Sequence, residues 1–168
     1  PMIDIVAITT PNILHEKMSL SAIKNGLTVY CEKPLSINSK SSKKMTDAAK
    51  NKRIITMVGF SFLQNPMIKL AKEMIQSNEI GKIISFKGIH AENYMPENAS
   101  HTFRTDPTGG GGALMDMGPY IASIPRLFNL NKIKSKKIKI VKNKNRLIVA
   151  IQFQIFFNKV KYCGFFKF

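Results

Sequence analysis

A chain of 168 residues with 44% apolar content is long enough for one medium domain or for parts of two, and its composition suits a packed protein rather than a disordered one. Its longest apolar runs, such as Ile148 to Ile151, fall far below the roughly 18 to 20 residues that a spanning helix requires, so no membrane span is expected. The formal charge of +16 would ordinarily raise nucleic-acid binding, but the lysines are scattered rather than clustered, and no nucleic-acid partner is expected.

The chain opens directly inside a run of buried-strand character, Ile3 to Ile8, with neither an initiator Met nor a leader pattern ahead of it, which reads as a truncated start. Thr9-Thr10-Pro11-Asn12 is turn chemistry. From Ile13 to Asn25, Leu14, Met18, Ala22 and Ile23 recur at helical spacing, closed by Gly26 where a left-handed cap would sit. Leu27 to Cys31 is a second strand, with Glu32-Lys33-Pro34-Leu35 at its carboxyl end. Asn38 is a helix N-cap candidate for an amphipathic segment that runs to Lys52, with Met45, Ala48 and Ala49 inward and Lys40, Lys43, Lys44, Lys50 and Lys52 toward solvent. Arg53 to Gly59 is a third strand. Strands separated by helices of this length imply a parallel sheet, whose ligands bind beyond the carboxyl ends of the strands. Thr10-Pro11-Asn12 and Glu32-Lys33-Pro34 would therefore face one crevice.

Beyond Gly59 the pattern changes to a helix over 66–76, a turn at Gly81 and an alternating strand over 82–90. A long polar loop to Gly112 follows, and then a helix over 113–128. Alternating strands are expected over 133–141, 146–157 and 159–168. In the first of these the densest lysine group, Lys132 to Lys144, alternates with Ile133, Ile138, Ile140 and Val141 like an exposed sheet edge. The fold class is α/β, with part of a parallel sheet over 1–61 followed over 62–168 by part of an α+β domain whose open sheet is mainly antiparallel. Cys31 and Cys163 stand far apart without CxxC or His companions, so neither a metal site nor a disulfide framework is expected, and a reducing cytoplasm is the natural setting.

A Lys at the carboxyl end of a strand in a cleft can polarise a reacting C–OH and stabilise a developing alkoxide. Asp4 to Asn12 with His15, Gly26 to Leu35 ending in Cys31-Glu32-Lys33-Pro34-Leu35, and Gly109 to Gly118 together resemble the Gfo/Idh/MocA family of oxidoreductases, the glucose-fructose oxidoreductase and inositol dehydrogenase type. The resemblance covers most of residues 3–130. It implies the second half of a Rossmann domain over 1–61, a substrate and oligomerisation domain over 62–168, and NAD or NADP as cofactor. It also implies hydride transfer to or from a CH–OH group of a sugar, polyol or sugar derivative. Thr10, Pro11, Asn12, His15, Glu32, Lys33 and Pro34 would then line the cofactor side, with Asn12 offering an amide and His15 either a donor or a packing group. Lys33 would hold the substrate hydroxyl, and the Lys33–Pro34 bond would be cis.

Where the family pattern reads Asp-x-Gly-x-His, this chain has Asp116-Met117-Gly118-Pro119-Tyr120. Some members place Tyr there, so Tyr120 can inherit proton transfer, with Asp116 orienting it and Lys33 easing it. Asp116 and Tyr120, four apart, would share a helix face unless Pro119 begins or kinks the helix. Arg104 matches a position that could help hold substrate. Gly109 to Gly112 lacks the GxGxxG spacing of a dinucleotide loop and reads instead as a tight bend into the helix that bears Asp116. The strand and glycine turn that would hold the rest of a dinucleotide lie outside the chain, so the chain alone is expected to be inactive, whereas the whole protein would be a homo-oligomeric dehydrogenase. The competing reading is a nucleotide- or sugar-binding homologue without turnover, supported by the missing His.

Overall fold

Parallel neighbours in a sheet cannot be joined by a tight turn, and the first part of the chain supplies a helix between each pair of strands. In the computed structural model, β1 (Ile5–Ile8), α1 (His15–Lys24), β2 (Thr28–Glu32), α2 (Ser39–Lys52) and β3 (Thr56–Gly59) follow one another, and the strands pair in parallel in the order β1-β2-β3. The structure describes residues 3–91, 102–128, 135–142, 148–157 and 160–167.

Local signals set the helix ends. Gly26 closes the first helix at φ +78, a conformation that costs an L side chain but not glycine. Asn38 caps α2 by accepting the Ser41 N–H at 2.8 Å. At its far end Arg53 takes a left-handed conformation (φ 56), and Ile54 turns back so that its N–H donates to the Ala49 carbonyl at 2.9 Å. The strand therefore begins at Thr56, not at Arg53, because the helix cap has used the first residues of the apolar run.

Register fixes which face is buried. Val6 lies opposite Val29, and Ile8 opposite Cys31. Ile8, Val29 and Cys31 are buried with Ala22 and Ile23 of α1 and with Met45 and Ala49 of α2 in one apolar cluster. Residues of the opposite set, Ile5 and Met57, are exposed.

The chain divides into two compact units, Pro1–Phe60 with Thr102–Gly111, and Ser61–His101 with Gly112–Phe168. The segment Thr102–Gly111 thus groups with the first unit although it lies well beyond residue 61. In the second unit α3 (Pro66–Gln76) carries Pro66 at its first position and Asn65 as its cap. β4 (Ser85–Ala91), α4 (Ala113–Asp116), α5 (Gly118–Leu127), β5 (Ser135–Lys142), β6 (Ile148–Phe157) and β7 (Val160–Lys167) follow. The sheet order is β4-β7-β6-β5, with β5, β6 and β7 antiparallel and β4 parallel to β7. α4 and α5 pack on this sheet, burying Ala113, Met117 and Ile121. Lys132, Ile133, Lys134 and Lys144 of the basic group lie outside the described residues, as does the part of the polar loop before Thr102.

One expectation is corrected here. Residues 113–128 form two helices, interrupted at Met117 (φ −102), rather than one. Pro119 has no N–H to give to a preceding turn, and the first turn of a new helix is where that loss costs least. Asp116 ends α4 and Tyr120 lies in the first turn of α5, so the two do not share a helix face.

Candidate functional site

The carboxyl ends of β1 and β2 lead into the two loops that carry most of the expected site. Their link is His15, the first residue of α1, which is 0% exposed. Its Nδ1 lies 2.9 Å from the Pro34 carbonyl and its Nε2 2.8 Å from the Thr10 carbonyl. Both ring nitrogens thus face main-chain oxygens, one from each loop, and the N–H of a neutral ring donates to one of them. The sequence left His15 as a donor or a packing group, and the structure places its ring between these two loops.

Asn12 is treated likewise. It opens a single 3-10 turn, Asn12–Leu14, and its amide N–H donates to the Gly110 carbonyl at 2.9 Å. The loop held there is folded tightly on itself, with Asp106 accepting from the Thr108 N–H and hydroxyl, and the Gly111 N–H donating to the Asp106 carbonyl at 2.8 Å. A Cβ on Gly110 would lie 2.5 Å from Ile37 Cγ2, and one on Gly111 would lie 2.5 Å from the Arg104 carbonyl oxygen. The glycine run is therefore needed for close approach, in agreement with its reading as a bend. Arg104, exposed in the same segment, stacks its guanidinium 4.7 Å from the centre of the Phe103 ring.

Glu32 is turned back onto its own strand, on the sheet face opposite to buried Cys31. One carboxylate oxygen accepts from the Tyr30 hydroxyl and the other from the Lys33 N–H, both at 3.2 Å. Gly59 on β3 makes room for this pair, since a Cβ there would lie 2.5 Å from Glu32 Oε1. Burial first, and then the Glu32 charge, push the Tyr30 hydroxyl above its ordinary range. Burial likewise pushes the Cys31 thiol up, against a smaller opposing effect of Ser19. Lys33 is half-buried at the end of this strand, and the Lys33–Pro34 peptide is cis, as the resemblance implies. Thr10 is half-buried, and its hydroxyl is turned to the weak acceptor Met18 Sδ at 3.6 Å.

In the second unit Asp116 and Tyr120 are half-buried. Tyr120 sits in an aromatic cluster that the sequence does not reveal, with the Phe62 ring edge-on at 5.4 Å and the His90 ring tilted at 5.5 Å. Phe62 and His90 are too distant in sequence for any local pattern to pair them with Tyr120. Among the described residues no group of His, Cys, Asp and Glu could hold a metal ion, and no helix is long and apolar enough to cross a membrane.

Comparison with known proteins bears on the same residues. Residues 1–60 match the oxidoreductase family with an NAD-binding Rossmann fold, and residues 68–143 match the GFO/IDH/MocA C-terminal domain. The levoglucosan dehydrogenase of Pseudarthrobacter phenanthrenivorans is 36% identical over 128 residues, covering 75% of this chain and 33% of that protein. The scyllo-inositol 2-dehydrogenase (NAD(+)) of Bacillus subtilis is 36% identical over 96 residues, covering 57% of this chain and 28% of that protein. The solved structure of a levoglucosan dehydrogenase in complex with NADH and L-sorbose superposes with a TM-score of 0.92 at 27% identity, over 99% of this chain and 48% of that one. The chain spans about a third of the length of the curated relatives it matches and about half that of the solved chains.

Proposed function

The chain belongs to the GFO/IDH/MocA oxidoreductase family, and from that premise we propose that it serves hydride transfer between NAD or NADP and a CH–OH group of a sugar, polyol or sugar derivative. The observation that carries this reading is the pair of strand-end loops bolted together by His15, one bearing Thr10 and the other Lys33. Ligands of a parallel sheet bind at such ends. The donor chemistry there fits a nicotinamide nucleoside. The Thr10 hydroxyl is turned to the weak acceptor Met18 Sδ, and Lys33 follows the carboxyl end of β2, the strand paired with β1. The cofactor, when bound, would supply or accept the hydride.

Lys33 would hold the substrate hydroxyl oxygen and stabilise the negative charge that grows on it as the proton leaves. Tyr120 would exchange that proton, kept in orientation by its contacts with Phe62 and His90, and Asp116 would orient the acceptor. Arg104 would contact substrate from the Thr102–Gly111 segment. Glu32, with both oxygens engaged by its own strand, would shape the loop rather than bind ligand. We further propose a homo-oligomer in a reducing cytoplasm, where the buried, free Cys31 thiol stays reduced.

The test is a turnover assay with NAD and NADP on a panel of sugars and polyols, beside NADH binding by fluorescence. Lys33→Met should lower kcat/KM on the order of a hundredfold or more, with the NADH Kd changed little. Tyr120→Phe should lower kcat. Binding of NADH without turnover of any polyol would favour a non-catalytic binding homologue, the reading that the absent family histidine supports.

A further inference from the structure

A buried polar side chain has to be hydrogen-bonded, and which groups it bonds tells what it holds in place. His15 is fully buried, and its two nitrogens meet the carbonyl that leaves β1, at Thr10, and the carbonyl that follows β2, at Pro34. Thr10 and Pro34 belong to different crossings of the sheet. Within the loops the parallel ladder no longer fixes their spacing, because the register ends at Ile8 opposite Cys31. Lys33 is one peptide from Pro34 and lies just beyond that last pair.

We infer that His15 is a positioning residue for Lys33, a bracket that sets the distance between the two loops and so the place of the Lys33 main chain; this rests on the role proposed above for Lys33. The residue type fits the task. A planar ring with nitrogens on opposite edges spans two oxygens with two rotatable bonds, whereas a carboxamide presents its donors on one side only. The tautomer decides which carbonyl receives the N–H, and the other nitrogen faces the second carbonyl across the ring. Asn12, on the turn that leads to His15, makes a parallel tie to Gly110, so the turn acts as a hub for two other loops. The helix start is thereby committed to holding the site together.

The experiment follows Lys33 directly. Lysines of the full chain are reductively methylated with 13C, and the Lys33 resonance is assigned by its absence in Lys33→Arg. In folded His15→Gln and His15→Phe the Lys33 resonance should shift or broaden, and kcat should fall on the order of tenfold or more with KM for the polyol nearly unchanged. A folded variant in which the Lys33 resonance does not move would overturn the inference, since simple core filling would affect stability alone. If neither variant folds, the ring of His15 in the unsubstituted chain decides. Its N–H should be protected from solvent exchange, and exchange at the rate of an exposed imidazole would also overturn the bracket. An unsubstituted protein without turnover would remove the hydride-transfer reading but leave the Lys33 resonance as the arbiter of this one.

Discussion

Gly110 meets two demands at once, a positive φ of +84 and a neighbour where a Cβ would stand, whereas Gly26 meets only the first, with open space around it. Left-handed backbone costs a non-glycine residue roughly 1–2 kcal/mol, and forcing a methyl group into a packed site adds about 1–3 kcal/mol. Gly26→Ala should therefore lower stability in urea by about 1–2 kcal/mol and Gly110→Ala by about 2–5 kcal/mol, and equal losses would refute the close approach to Ile37. Glu16 supplies a test by pH. Lys44 at 2.8 Å, and then the Ser41 hydroxyl, hold its carboxyl below the ordinary 4.5. Because the folded value is the lower one, the pairing stabilises the fold above that ordinary value and is lost as pH falls through the folded one. Glu16→Gln should flatten the acid limb of the stability curve as pH falls below the ordinary 4.5, and superimposable curves would show that the pair contributes nothing. At this scale the residue types of the site were legible, but the partners of His15 and Asn12 were not. Asn12 reaches Gly110, 98 residues away, and no spacing rule connects them.

Elements were legible where their boundaries are made by neighbours in sequence. Asn38 accepts from Ser41 and Asn65 from Met67, so each cap and its helix are read within three residues. Removing such a cap costs about 1 kcal/mol, so Asn38→Ala and Asn65→Ala should each lower the stability measured by urea unfolding by about that amount, with Asn→Gly nearer to neutral. The misread boundaries have local causes that compete with the pattern. The Ile54-Ile55 run looks like strand but is claimed by the left-handed cap at Arg53, and the apolar face of residues 113–128 continues across the break at Met117 although the hydrogen bonds do not. The parallel pairing of β4 with β7 had no signal at all. Alternation gives each strand its two faces, but it does not choose a partner as distant as Lys161 is from Ser85.

Over the whole molecule, 26 Lys and Arg against 10 Asp and Glu set a repulsion that any self-association must overcome. An apolar row such as the exposed Ile138 and Ile140 of β5 favours contact with a second copy, while the lysine charge around it opposes contact over distances up to the Debye length, about 30 Å at 0.01 M salt and about 10 Å at 0.1 M. The two effects respond differently to ionic strength, because screening weakens the repulsion and leaves apolar burial intact. The proposed homo-oligomer should therefore tighten as salt is raised, the reverse of nucleic-acid binding, which loosens as released counterions regain their cost. Sedimentation velocity at about 0.05 M and about 0.5 M sodium chloride separates the cases, with more association expected at the higher concentration. Ile138→Lys should abolish that association by placing a charge within the apolar row, leaving the His15 bracket in the other unit untouched. Association that weakens with salt, or that survives Ile138→Lys, would move the interface away from β5.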